Sequence, residues 1–105
     1  LKEKLMEYVA VEWIHTALDE PVYLYYELDA DRREHRKVEE YRDGRVHSAD
    51  ATHGQSSTFL SWEPHPPLAE IAADPQFRVR KITAQEFEQA WGRASPRKQE
   101  TAAYA

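Results

Sequence analysis

The side chains best able to do chemistry in this sequence are a set of carboxylates and five histidines. Glu27, Asp29, Glu39 and Glu40 fall within one short stretch, where paired acids would suit a hydrolase or a metal-dependent nuclease. Arg33, Arg36 and Lys37 run between them. Ion pairing to those cations lowers a carboxyl pKa, which is the wrong direction for a general acid. His47 and His53 are six residues apart, and His65 stands between prolines. None of these has the i, i+4 spacing of a zinc-binding helix, and the chain has no cysteine to complete a site. Asp29-Ala30-Asp31 opens like a calcium loop, but Arg33 and Glu34 occupy the positions of the third ligand and the glycine. Ser48, Ser56 and Ser57 lack a nucleophile-elbow sequence, and His53 beside the last two is common loop composition. With only three glycines there is no phosphate-cradling loop. The expectation is no catalytic residue, no metal and no cofactor.

The element that must position these acids is the stretch from Val22 to Arg45. Tyr23, Tyr25 and Tyr26 beside Val22 and Leu24 suit a pleated, half-buried strand. The partner run from Arg33 to Arg42 has one clearly apolar residue, Val38, so register must supply the argument. A three-residue loop of Ala30, Asp31 and Arg32 sets Asp29 against Arg33, Glu27 against His35, Tyr25 against Lys37 and Leu24 against Val38. A two-residue loop would set Glu27 against Glu34, a like-charge pair that costs stability. The favoured register predicts one exposed face carrying Tyr23, Tyr25, Glu27, Asp29, Arg33, His35, Lys37 and Glu39. Val22, Leu24, Leu28 and Val38 then point to the core. Asp43-Gly44 turns the chain again where positive φ is needed. Asp29 to Arg45 holds six acids and six bases, so the charged face reads first as cross-strand ion pairs and second as a binding face.

The other elements pack on this hairpin. Residues 1–6 read as a flexible extension, with Met6 a natural initiator. Val9, Val11 and Trp13 alternate with Ala10 and Glu12 in a first strand. Pro21 opens the Val22 strand. Residues 45–49 form a short fourth strand, residues 50–57 a loop, and residues 58–60 an edge. Trp62 and the Glu63-Pro64-His65-Pro66-Pro67 run exclude regular structure and prepare a helix with Pro67 at its first position. That helix shows Leu68, Ile71 and Ala72 on one face and ends at Asp74-Pro75. Residues 77–82 form a further strand. Thr83 and Glu86 have capping-box spacing, with Ile82 and Phe87 as the hydrophobic staple. Phe87, Ala90, Trp91 and Ala94 make a helical stripe, which Gly92 alternatively cuts short as a C-terminal cap. Residues 95–105 have no periodicity and read as a mobile tail. The fold class is α+β: an antiparallel meander of about four to six strands with two short helices packed on one face, in one domain over residues 7–94.

Composition bounds the function. At 105 residues there is material for one modest core. No apolar run reaches the roughly 18 residues of a membrane span. The absence of cysteine suits a reducing cytoplasm. A net charge of −5 speaks against nucleic acid as a partner. Between Arg45 and Arg78 there is no Lys or Arg, while Asp50, Glu63, Glu70 and Asp74 are all acidic. Trp13 and Trp91 belong to inferred core faces, whereas Trp62 lies in the irregular acidic segment, where it either folds back over the core or stands partly exposed as an anchor.

Several segments together resemble a family of short single-domain bacterial proteins known only as a domain of unknown function. They are Val11-Glu12-Trp13, Glu27-Leu28-Asp29, Arg36-Lys37-Val38-Glu39 through Asp43-Gly44-Arg45, Pro66-Pro67 with Glu70-Ile71, and Ile82-Thr83 with Glu86-Phe87 and Trp91. The resemblance covers roughly residues 7–94. It implies a compact cytoplasmic domain and carries over no catalytic residue.

The leading expectation is a non-enzymatic cytoplasmic binding protein, in its sharpest form an immunity-type inhibitor of a basic toxin or nuclease. Trp62 would anchor the partner, with Asp50, Glu63, Glu70 and Asp74 as the charges around it. Two alternatives stand beside it. One is a small hydrolase or nuclease using the hairpin carboxylates and loop histidines. The other is a small-molecule sensor with its pocket between sheet and helices. The oligomeric state is open.

Overall fold

The computed structural model describes residues 5–52, 54 and 58–94 of the chain. Its elements run β1 (Glu7–Trp13), β2 (Tyr23–Leu28), β3 (Glu34–Glu40), β4 (Val46–Asp50), α1 (Leu68–Ala72), β5 (Phe77–Ile82) and α2 (Ala84–Arg93). The strands form a single antiparallel sheet in the order β4-β3-β2-β1-β5. The expected α+β class and meander are present, with β5 returning beside β1. Thr58 to Leu60 does not form an edge strand, and β4 and β5 are the sheet's edges.

Each face of the sheet carries a core cluster, and the reason lies in the hairpin. Its three-residue loop is as expected: Asp29 N–H donates to Arg33 O, and Arg32 takes a positive φ of 64°. A β-bulge follows at once. Leu28 faces Glu34, but Glu27 faces Arg36, so His35 is the extra residue. Every later side chain of β3 is thereby moved to the opposite face from the one expected. Tyr25 faces Val38 rather than Lys37, and Leu24 faces Glu39 rather than Val38. The predicted exposed face is therefore split: Tyr23, Tyr25 and Glu27 share one side of the sheet, and Lys37 and Glu39 lie on the other. Asp29 and Arg33 belong to the hairpin end, where Asp29 pairs with the bulged His35 at 2.9 Å.

The bulge lets each face build a core. On one, Val38 packs with Phe87, Ala90 and Ala94, joined by Tyr8, Tyr25, Ile82 and Trp91. On the other, Val9, Val11 and Leu28 pack with Leu24, Tyr26, Phe77, Val79 and Leu68 of α1. The two helices thus do not share a face: α2 covers the first, and α1 with the segment after Thr58 covers the second. Between Glu27 and Arg36 the bulge also creates a paired hydrogen bond of 2.7 and 2.8 Å, geometry the expected register would have lacked.

Local signals behave as their chemistry dictates. The Thr83 hydroxyl accepts from Glu86 N–H while the Glu86 carboxylate accepts from Thr83 N–H, completing the capping box of α2. Gly92 does not end that helix, which runs on to Arg93 with Ala94 as its cap. Pro67 is the N-cap of α1 rather than its first residue. Gly44 turns the chain at φ 97°, where a side chain would be strained.

Candidate functional site

Residues 58–67 contain three prolines and no helical or alternating period, so no ladder holds them. Side chains of the hairpin hold them instead. Lys37 Nζ donates to Phe59 O and Arg33 Nη1 to Trp62 O, both at 2.9 Å. Ser61 N–H donates to Glu34 Oε1 at 2.8 Å, and His65 Nε2 meets Glu34 Oε2 at 2.7 Å. Arg32 closes the segment by donating to His65 O and Pro66 O, with a third bond to Glu7 Oε1. Arg32 holds a left-handed conformation that costs an L-residue about 1–2 kcal/mol, and these contacts offset that strain.

With its backbone tied down, the segment turns two aromatic rings outward. Trp62 is 88% exposed and Phe59 67%. They border a groove of about 580 Å³ that Arg33, Glu34, Asp50, Ala51 and Leu60 also line. Burying a Phe or Trp is worth several kcal/mol, so two exposed rings on a pinned loop forgo much stability. The two rings and the groove together form an exposed apolar patch.

The acidic residues expected around Trp62 do not form one ring. Asp50 lines the same groove, with its carboxylate accepting from Thr52 N–H and hydroxyl. Glu63 follows Trp62 and is exposed. Glu70 lies in α1 and Asp74 just beyond it, and α1 packs against β5. β5 is four strand spacings from β4, which carries Asp50, a separation of about 19 Å. Glu70 and Asp74 thus lie toward the opposite edge of the sheet from Asp50.

The hairpin acids are ion-paired. Hydrogen bonds from Arg36 pull the Glu27 carboxyl below its usual range, overcoming its burial, and the Tyr8 hydroxyl donates to it as well. Arg36 also binds Glu88 and lies 4.9 Å from the ring centres of both Phe87 and Trp91. Glu39 accepts from the Thr58 and Tyr41 hydroxyls and lies 3.6 Å from Lys37. Glu40 pairs with Arg93. Each of these carboxylates is thus engaged by hydrogen bonds or a cation within the fold.

Sequence reasoning passed over Arg32, Glu34 and Phe59, and placed Arg33 and Lys37 on the exposed hairpin face without their role in holding this loop. The sequence reads Phe59 as part of an edge strand; its three-residue spacing from Trp62, in a proline-rich run without periodicity, is the signal that points to the loop instead. Among the described residues no three His, Asp or Glu side chains converge to hold a metal ion. His53, Ser56 and Ser57 lie outside the described residues. No helix among the described residues is long and apolar enough to cross a membrane.

No curated protein and no solved structure matches the chain. One family does, over residues 7–96. The chain belongs to the family Domain of unknown function (DUF6881).

Proposed function

We propose that this chain is a non-enzymatic protein-binding domain whose contact surface is the Phe59–Trp62 loop and the groove beside it. The observation that carries this reading is the pinning of both aromatic residues by their carbonyls, Phe59 to Lys37 and Trp62 to Arg33. Pre-ordered backbone lowers the entropic cost of association, and exposed Trp and Phe supply the apolar contact. The net charge of −5 favours a basic partner, and an immunity-type inhibitor of a basic toxin or nuclease in the cytoplasm is the sharpest form of the proposal. The hydrolase alternative would rest on Glu34 and His65, which have the form of an orienter and a base. Among the described residues no hydroxyl is hydrogen-bonded to His65.

The test is affinity capture with wild-type bait, a Phe59→Ala/Trp62→Ala bait and a Glu70→Lys/Asp74→Lys bait, followed by affinities for the purified partner. The aromatic variant should bind about thirtyfold more weakly or worse, the loss typical of a truncated hot spot. The Glu70/Asp74 variant should change affinity little at physiological salt. Equal capture by all three baits would place the interface elsewhere.

A further inference from the structure

A second concavity lies on the α1 side of the sheet, distinct in its lining from the groove at Trp62. It holds about 250 Å³ and is walled by Trp13, Tyr26, Phe77, Leu24, Ile71 and His65. Its walls are fixed. The Trp13 indole donates to Gln76 Oε1 at 3.0 Å and packs against His15 and Phe77. The His65 ring stands edge-on to Tyr26 with centres 4.2 Å apart, and its Nε2 is held by Glu34.

The polar groups of that lining define what could enter. The Trp13 N–H is taken by Gln76, and the Glu34 carboxylate accepts a hydrogen bond from His65 Nε2–H, because an ionised carboxylate only accepts. In the neutral imidazole Nδ1 then carries a lone pair, and it makes no hydrogen bond to any described residue. A charged guest would meet no opposite charge among the residues that line the pocket, and burying an unpaired charge is costly. The volume equals about eight waters at ~30 Å³ each, enough for a ring system and too small for a nucleotide or a folded peptide.

We propose that this pocket binds a small neutral aromatic molecule with one hydrogen-bond donor, of the indole or phenol class, and that His65 Nδ1 accepts that donor. Three aromatic side chains supply the faces and edges for ring packing. His65 Nδ1, with the Tyr26 hydroxyl as the other polar group of the lining, orients the guest, as the few polar groups of an apolar ligand site do. The pocket lies between sheet and helix, where a sensor would need it.

Indole is the probe, titrated into the full ¹⁵N-labelled chain. Saturable shifts should appear at the Trp13 indole N–H and the amides of Ile71 and Phe77, with a Kd of about 1 mM or below. N-methylindole, which has no donor, should bind about three- to tenfold more weakly. Ile71→Trp, which fills the cavity, should weaken indole at least about tenfold, whereas Trp62→Ala should leave it unchanged. The wild-type titration stands even if Ile71→Trp does not fold. Absent saturation, or shifts centred on the Phe59–Trp62 groove, would overturn the site. Equal affinity for N-methylindole would overturn the role of His65.

Discussion

Glu34 and His65, 31 residues apart in the chain, meet at 2.7 Å, and the Glu34 side chain is 3% exposed. The other Glu34 oxygen accepts from Ser61 N–H, directly before Trp62. One carboxylate thus holds the loop that displays Trp62 and orients the imidazole that lines the apolar pocket. Burial works to raise the pKa of this carboxyl. The hydrogen bonds from His65 and Ser61, with the charge of Lys37, outweigh burial and leave it below its ordinary value.

That direction fixes a pH dependence. A folded-state pKa below the unfolded one means that the stabilisation is fully present above the unfolded value, near 4.3, and is lost as pH falls through the folded value. Glu27 has the same sign and adds to the same window. Urea midpoints of the wild type should therefore fall steeply below about pH 4.5. Glu34→Gln should be destabilised at pH 7 by about 1–3 kcal/mol, as the buried hydrogen bonds from His65 and Ser61 lose their charged acceptor. Its acid slope should be shallower than wild type but not flat, because Glu27 still titrates. An unchanged slope in Glu34→Gln would show that the pair does not contribute as described.

The fold was legible where signals are local and partly illegible where one residue changes parity. Thr83 with Glu86, Asp43-Gly44 and the alternation of Val9, Val11 and Trp13 each act within a few residues, and each stands in the structure. The bulge at His35 was not readable from pairing rules, because Glu27 against His35 and Glu27 against Arg36 are both favourable. What decides between them is tertiary: only the shifted register puts Val38 under Phe87 and Arg36 between Glu27 and Glu88. That single residue divided the expected binding face between two sides of the sheet. The proline-rich surroundings left Trp62 either folded back over the core or exposed, and the cations that hold its loop are far away in sequence.

The core under α2 makes a second prediction. Phe87 is fully buried, whereas Trp91 on the same stripe is only half-buried and stacks on Phe87 with centres 6.3 Å apart. Phe87→Ala should cost about 3–5 kcal/mol, and Trp91→Ala should fall below that range. Thr83→Ala should cost about 1 kcal/mol through the lost cap. Denaturation midpoints measure all three, and a larger loss for Trp91→Ala than for Phe87→Ala would contradict this packing.

The last prediction separates holding the aromatic loop from contacting a partner. Arg33 and Lys37 bond the Trp62 and Phe59 carbonyls, so Arg33→Gln/Lys37→Met should free the backbone of residues 59–62 while both rings remain. Hydrogen exchange at Ser61 and Glu63 N–H should then quicken, whereas exchange at Val9 and Val11 in β1 should not, because local opening need not involve the sheet. A partner that relies on the ordered loop must pay its ordering entropy on binding, about 0.5–1.5 kcal/mol for each rotamer-rich group newly fixed. Because the double variant also removes two positive charges, the comparison with wild type is made at high ionic strength, where steering by net charge is screened. If exchange at Ser61 and Glu63 is unaltered in the double variant, the two cations do not hold the loop. Its order would then have to come from Arg32 and Glu34 alone.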